Sequence, residues 1–237
     1  MNRLYGKAVL PDFPEIRIHL LLTHHREEDS RTHGYYLSRT DRLFWLGRYS
    51  ERVYTTLRLY SNSFDTMIDG IADSYQEFCK DIDIPDIYGS KEAFVESYPF
   101  DENNPDSIFS NLNRAYDNAV VLREEIGSET LSYIQLAIYD MNKAKVSRAP
   151  LIEMQRVIDN ILTFWGIADD NIDSPQVRNL IKTGKRIERI DLYARLGIER
   201  NELVREINRL AHRITRCQVE YDAAKVEQVN VISTKNS

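Results

Sequence analysis

Residues 37–59 read LSRTDRLFWLGRYSERVYTTLRL, and this stretch decides the fold class of the chain. Apolar residues recur along one face of it at helical spacing: Leu43, Leu46, Tyr54 and Leu57. Further aromatic and aliphatic residues lie between them, so we expect a helix that is buried on more than one side. Ser38 and Asp41 have the spacing of a capping box, which predicts that the helix begins at Ser38 and runs to about Gly70.

The same pattern returns near the other end of the chain. Residues 183–196 read TGKRIERIDLYARL and align without gaps to residues 46–59, which read LGRYSERVYTTLRL. The matching positions are Gly47 and Gly184, Arg48 and Lys185, Glu51 and Glu188, Arg52 and Arg189, Arg58 and Arg195, and Leu59 and Leu196. A glycine inside a helix costs about 1 kcal/mol relative to alanine. Its presence in both copies therefore indicates that two helices approach each other closely.

Most of the remaining chain also has helical signals. Caps and first-turn prolines predict helix starts at Asn104-Pro105, Ser128, Pro150 and Ser174-Pro175. Glycines predict helix ends at Gly127, Gly166 and Gly197, and a short helix is expected at residues 91–96. The last helix carries an a/d seam: Leu203, Ile207, Leu210, Ile214, Cys217 and Tyr221. The expected fold is all-α, an antiparallel bundle of about six main helices.

Composition excludes several classes of protein. Nine glycines and seven prolines in 237 residues are too few for the turns of an all-β fold. The formal net charge of −6 gives no support to a nucleic-acid partner held by its phosphates. No apolar run is long enough to span a membrane, and the N-terminus lacks a signal-peptide pattern. A cytoplasmic protein is the expectation.

Three regions are expected along the chain. Residues 1–36 hold four of the five histidines and no helical period, which predicts a weakly structured arm. Residues 37–228 form the helical domain, and residues 229–237 form a polar, flexible tail. No histidine has a glutamate three residues before it, as a di-iron bundle requires, and no glycine-rich phosphate loop is present. We therefore expect no metal and no cofactor.

Three stretches resemble the bacterial alpha-E family of helical proteins with a conserved Glu-Arg motif. They are LSRTDRLFWLGRYSERVYTTLRL (37–59), DNAVVLREEIGSETLSYIQ (117–135) and IKTGKRIERIDLYARL (181–196). The resemblance covers roughly residues 35–221, and Val120 and Val121 stand where family members usually have arginine. Because the family has no settled biochemical activity, the resemblance implies a helical fold without implying a reaction.

The resemblance also implies partners. Family members are associated with ATP-grasp peptide ligases and transglutaminase-like proteins, with which they are often encoded or fused. The leading expectation is thus an accessory component that binds such a partner protein or an acidic peptide. The alternative is a stand-alone enzyme that acts on an amide or peptide through its Glu-Arg residues.

The candidate binding residues come from the two repeat helices and from the middle stretch. They are Arg48, Glu51, Arg52, Arg123, Glu124, Glu129, Lys185, Glu188 and Arg189. If the repeat helices pack around a pseudo-twofold axis, Glu51 meets Arg189 while Glu188 meets Arg52. Such residues can be interhelical salt bridges, a site where arginines grip a carboxylate or phosphate, or a general base with a raised pKa. The sequence leaves these three alternatives open.

Overall fold

The structure, a computed structural model, describes residues 32–69, 74–198 and 200–214. Within these ranges the chain forms nine helices and no strand. They are α1 (Thr32–Asp69), α2 (Ser74–Asp81), α3 (Lys91–Ser97), α4 (Ile108–Val121), α5 (Arg123–Ile126), α6 (Ser128–Val146), α7 (Pro150–Asn171), α8 (Pro175–Arg195) and α9 (Arg200–Ile214). Six of them are long, so the predicted all-α bundle of about six main helices is confirmed. No described helix combines the length and apolar character needed to cross a membrane.

Helix α1 is the spine of the bundle. Its 38 residues span about 57 Å, and α4, α7 and α8 pack along it. The predicted face is buried at Leu43, Leu46 and Leu57, while Tyr54 is partly exposed. A main core cluster joins α1 to α4, α6 and α7. A smaller one, built on Phe44, Ile187, Leu210 and Ile214, joins α1 to α8 and α9.

Helix directions differ between pairs. Ion pairs and hydrogen bonds advance in opposite directions along α6 and α7, and also along α8 and α9, so these hairpins are antiparallel as expected. Helices α1 and α8 instead advance together, since residues near Gly47 meet residues near Gly184 and Glu51 meets Arg189. The two repeat helices therefore run parallel where they cross, which departs from a purely antiparallel bundle.

Three predicted N-caps are wrong. Helix α1 begins at Thr32, so Ser38 lies inside it and residues 32–36 belong to a helix rather than to an arm. Helix α4 is capped by Ser107, whose Oγ accepts from the Ser110 amide, and Asn104-Pro105 forms the preceding turn. Helix α6 follows Gly127, which has a φ of 81°, and the Ser128 side chain does not cap it. A residue type that can cap a helix was present in each case. At Ser38 the helix had already begun, whereas at Asn104 and Ser128 the neighbouring residues Ser107 and Gly127 occupy the N-cap position.

Other predicted boundaries fared differently. Gly166 does not end α7, which continues to Asn171 because the helix packs against α6 on both sides of that glycine. The starts at Pro150 and at Ser174-Pro175 are confirmed, and the Ser174 hydroxyl accepts from the Val177 amide. The α9 seam is buried at Leu203, Ile207, Leu210 and Ile214, whereas Cys217 and Tyr221 lie outside the described residues.

Candidate functional site

The repeated glycines lie at the crossing of α1 and α8. A Cβ on Gly47 would overlap the carbonyl oxygen of Ile181 and stand 3.0 Å from the Lys185 amide nitrogen. A Cβ on Gly184 would overlap the carbonyl oxygen of Phe44 in the same way. Only glycine leaves room for backbone to touch backbone at this point. The close approach that the sequence predicts is confirmed.

One turn further along, Glu188 accepts bonds from two arginines of α1. Arg48 Nε lies 2.6 Å from its Oε2, and Arg52 Nε lies 2.5 Å from its Oε1. The Glu188 side chain is fully buried, whereas Arg48 and Arg52 are 15% and 28% exposed. Each carboxylate oxygen is thus held by a different guanidinium, and we call these three residues the Glu188 end.

The second ion pair joins the remaining motif glutamate, Glu51 of α1, to the remaining motif arginine, Arg189 of α8. Arg189 donates to both oxygens of Glu51, with Nε at 2.6 Å from Oε1 and Nη2 at 2.9 Å from Oε2. The Thr55 hydroxyl donates to Oε1 at 3.1 Å, and the Glu51 side chain is fully buried. Together with Lys185 we call Glu51 and Arg189 the Glu51 end. The predicted exchange of partners between the two helices is confirmed.

The two glutamates differ electrostatically. Burial acts to raise the pKa of Glu188, but the charges and bonds of Arg52 and Arg48 outweigh it and hold that pKa below its ordinary value. Burial raises the pKa of Glu51, because Arg189 and the more distant Lys185 offset it only in part. The ionised form of the motif glutamate is therefore favoured at the Glu188 end and disfavoured at the Glu51 end.

The two ends also differ in the residue that stands at the position of Arg48 in one copy and Lys185 in the other. The Arg48 guanidinium lies 4.8 Å from the centroid of the Trp45 ring and also bonds Glu188. The Lys185 amine lies 3.9 Å from the centroid of the Trp165 ring, supplied by α7, and does not reach ion-pair distance of Glu51. Burial lowers the pKa of Lys185 to about 8, although the charge of Glu51 acts in the opposite direction.

The middle stretch does not join this cluster. Arg123 is exposed and donates to Ser128 Oγ, and Glu129 is exposed and accepts from Asn171. The Glu124 side chain is exposed on the short helix α5. These three residues lie apart from the Glu-Arg crossing, because their helices pack mainly on α4 and α7, and a binding role for them stays a prediction.

A third buried carboxylate was missed. Glu206 of α9 is 3% exposed and receives Arg186 of α8 together with Arg209 at 2.8 Å. Burial acts to raise the pKa of Glu206, but the bonds from Arg186 and Arg209 outweigh it and lower that pKa. The signal was available, since Glu206 stands directly beside the seam residue Ile207, where charged residues commonly pair across two packed helices.

The other described side chains that could react or bind a metal do not form a nucleophilic or metal site. Cys79 is buried, and burial raises the pKa of its thiol to about 12, so it is not a nucleophile at neutral pH. Among the described residues, no three of the His, Cys, Asp and Glu side chains are grouped to hold a metal ion. Three of the N-terminal histidines and Cys217 lie outside the described part of the chain.

Comparison with known proteins gives a family and nothing finer. A search of curated proteins and a search of solved structures gave no match. The model of the Alpha-E family, described as a predicted alpha-helical domain with a conserved ER motif, matches residues 37–220. The motif glutamates and arginines of both repeat helices fall inside that range and form the crossing described above. The chain belongs to the Alpha-E family of helical domains.

Proposed function

We propose that this chain is a non-catalytic, partner-binding component of a peptide-ligase system, acting with an ATP-grasp ligase or a transglutaminase-like protein. The identity of the partner comes from the resemblance to the alpha-E family. One observation carries the non-catalytic part: Glu51 and Glu188, the acids of both motifs, have no exposed side-chain surface. A general base must reach the proton that it removes, and these carboxylates reach only protein.

The arrangement explains what the motif does instead. Three guanidinium groups and two carboxylates join α1 to α8 directly beside the glycine contact. Each helix supplies one glutamate, and its partner arginines come from the other helix. In some proteins buried ion pairs specify which helices meet and in which register while adding little net stability, and we propose that role for these pairs. The Glu-Arg motif is thus a device that holds a rigid helical scaffold, and the scaffold presents its outer faces to partners.

The test is capture of partners by the tagged full chain from its native host, identified by mass spectrometry. An ATP-grasp ligase or transglutaminase-like protein that is enriched over a tag-only control supports the proposal. The partner is then purified and titrated with the chain, to confirm direct binding. Recovery of folded chain with neither class of partner, in repeated captures, overturns it.

A stand-alone enzyme acting on an amide or peptide is the second candidate, and one observation favours it. The raised pKa of Glu51 and the lowered pKa of Lys185 occur side by side, and such opposed shifts are common in active sites. Glu51→Gln distinguishes the two functions, because it keeps the shape of the side chain. An enzyme loses turnover in this variant, whereas a binding component supports the same rate of a reconstituted ligase as the unmodified chain.

A further inference from the structure

A groove lined by arginines runs along the outer face of α9. It has a volume of about 720 Å³, within the range of ligand-binding clefts. Its described lining consists of four arginines, one histidine, two asparagines and one valine, with no acid among them. The basic side chains are those of Arg186, Arg205, Arg209, His212 and Arg213. The formal net charge of the whole chain is −6, so this concentration of positive charge is local.

The base of the groove is held by ion pairs to one buried carboxylate. Arg186 is only 17% exposed and is paired with the buried carboxylate of Glu206, which also accepts from Arg209. One acid therefore anchors two guanidinium groups from beneath, on two different helices. Groups held in this way lose little conformational freedom when they bind a second anion.

The rim of the groove has donors to spare. Arg205 and Arg209 are 56% and 50% exposed, and each spends one terminal nitrogen on a glutamate of its own helix. A guanidinium has five N–H donors, so each keeps donors for a second carboxylate within the described part of the chain. The arginines of the groove can therefore bind a further anion while they remain paired with Glu202 and Glu206.

The spacing of the arginines selects the shape of the ligand. Arg205, Arg209 and Arg213 follow one another at every fourth position of α9, which places them about 6 Å apart along the helix axis. Alternate side chains of an extended peptide repeat every 6.6 Å or so and lie on one face. An extended peptide with acidic side chains at alternate positions therefore matches this row.

From this groove we infer that the chain binds an extended acidic peptide along α9, in contact with Arg205, Arg209 and Arg213. The choice of a peptide among anionic ligands rests on the proposed function, since a peptide-ligase system makes or modifies such a chain. A nucleic acid fits less well, because the described lining residues offer no row of aromatic rings on which bases stack.

The test is fluorescence anisotropy with the full chain and labelled peptides at about 0.1 M salt, where exposed charges are already partly screened. The probe is (Glu-Ser)4, which places every glutamate on one face of an extended chain. Its controls are (Lys-Ser)4 and (Glu-Glu-Ser-Ser)2, which has the same composition with glutamates on both faces. We expect (Glu-Ser)4 to bind, its rearranged isomer to bind more weakly, and the lysine peptide not to bind.

Arg205→Glu is the primary variant, because its side chain is exposed and its loss leaves Glu206 paired. We expect affinity for (Glu-Ser)4 to fall by about tenfold or more, because the change removes one charge-assisted bond and places a negative charge beside the peptide. Arg148→Glu makes the same charge change on an exposed residue of the α6–α7 loop, and affinity should stay within about twofold. Melting temperatures verify that both variants fold.

Three outcomes overturn the inference: no binding of (Glu-Ser)4, equal loss in both variants, or tighter binding of an oligothymidylate that Arg205→Glu abolishes. The last would assign the groove to nucleic acid instead. Because this experiment uses synthetic peptides and no ligase, its failure leaves the partner capture unaffected. Failed capture with a positive peptide titration would reject the ligase partnership and retain the groove.

Discussion

The Glu188 end and the Glu51 end carry the same motif with opposite electrostatic results. Glu188 has two guanidinium groups, one on each oxygen, and burial does not prevent its ionisation. Glu51 has one bidentate guanidinium, and its second cation, Lys185, rests on a tryptophan instead. In this protein, one directly bonded guanidinium does not offset the burial of Glu51, whereas two directly bonded guanidinium groups offset the burial of Glu188. The aligned position holds arginine at one end and lysine at the other, and only the arginine bonds its carboxylate.

The largest expected effect is loss of the crossing that both ends share. Gly184→Ala places a methyl group against the backbone carbonyl of Phe44, which cannot turn aside as a side chain would. Overpacking usually costs about 1–3 kcal/mol, and a backbone clash raises this to about 4 kcal/mol or more. Thermal unfolding should show a fall of roughly 8–16 °C, with Gly47→Ala similar because its contact is equivalent.

Gly166→Ala is the matched control for this prediction. Gly166 is also inside a helix, but a Cβ there meets nothing within 4 Å. We expect a gain of about 0.5–1 kcal/mol, since alanine favours the helix. If Gly47→Ala and Gly166→Ala had the same effect, close packing would not be the reason for the repeated glycines.

The next largest effect distinguishes the two ends directly. Glu188→Gln leaves two arginines without their carboxylate and should lower the free energy of unfolding by about 3 kcal/mol at neutral pH. Glu51→Gln replaces a carboxylate that burial already disfavours, and should cost about 1 kcal/mol. Urea unfolding measures both. Equal losses would show that the two ends are equivalent after all, and no loss in either variant would refute a structural role.

The pH dependence of these two variants should have opposite signs. Glu188 has a lowered pKa when folded, so its contribution is present above its ordinary value of 4.5 and is lost as the pH falls through the folded pKa. Glu51 has a raised pKa when folded, so its contribution is present below 4.5 and is lost as the pH rises through the folded pKa. Melting temperatures from pH 3 to 8 should therefore show the deficit of Glu188→Gln growing with pH, and that of Glu51→Gln shrinking. Parallel curves would contradict the assigned shifts.

The smallest expected effect comes from making the two ends alike. Lys185→Arg supplies the side chain that stands at Arg48 in the other copy, with a planar group that bonds a carboxylate and a ring together. We expect the pKa of Glu51 to fall and stability at neutral pH to rise by less than about 1 kcal/mol. The measurement is the same series of melting temperatures from pH 3 to 8. In Lys185→Arg, the loss of stability as the pH rises, which we attribute to Glu51, should become smaller. An unchanged profile would mean that Trp165, rather than the lysine, sets the difference.

Much of this architecture is readable from the sequence. The apolar period of residues 43–57, the α9 seam and the repeat predict the helices, the close approach and the exchange of partners between Glu51 and Arg189. These succeed because they depend on helical geometry alone, which fixes which residues share a face. The errors at Ser38, Asn104 and Ser128 have the opposite origin, since a cap forms only if the chain before it leaves the helix, which depends on packing elsewhere.

The sequence by itself determined an all-α bundle, a motif present twice and the glycines that allow two helices to touch. Only the tertiary structure decided that α1 and α8 run parallel, that Trp165 of α7 holds Lys185 away from Glu51, and that α9 places its arginines above Glu206. The physical reason is that periodicity reports the face of a helix, whereas burial and charge depend on the groups that other helices bring to that face. The sequence pattern therefore predicted both Glu-Arg pairs and showed lysine in place of arginine in one copy, but it could not predict that this lysine packs on Trp165.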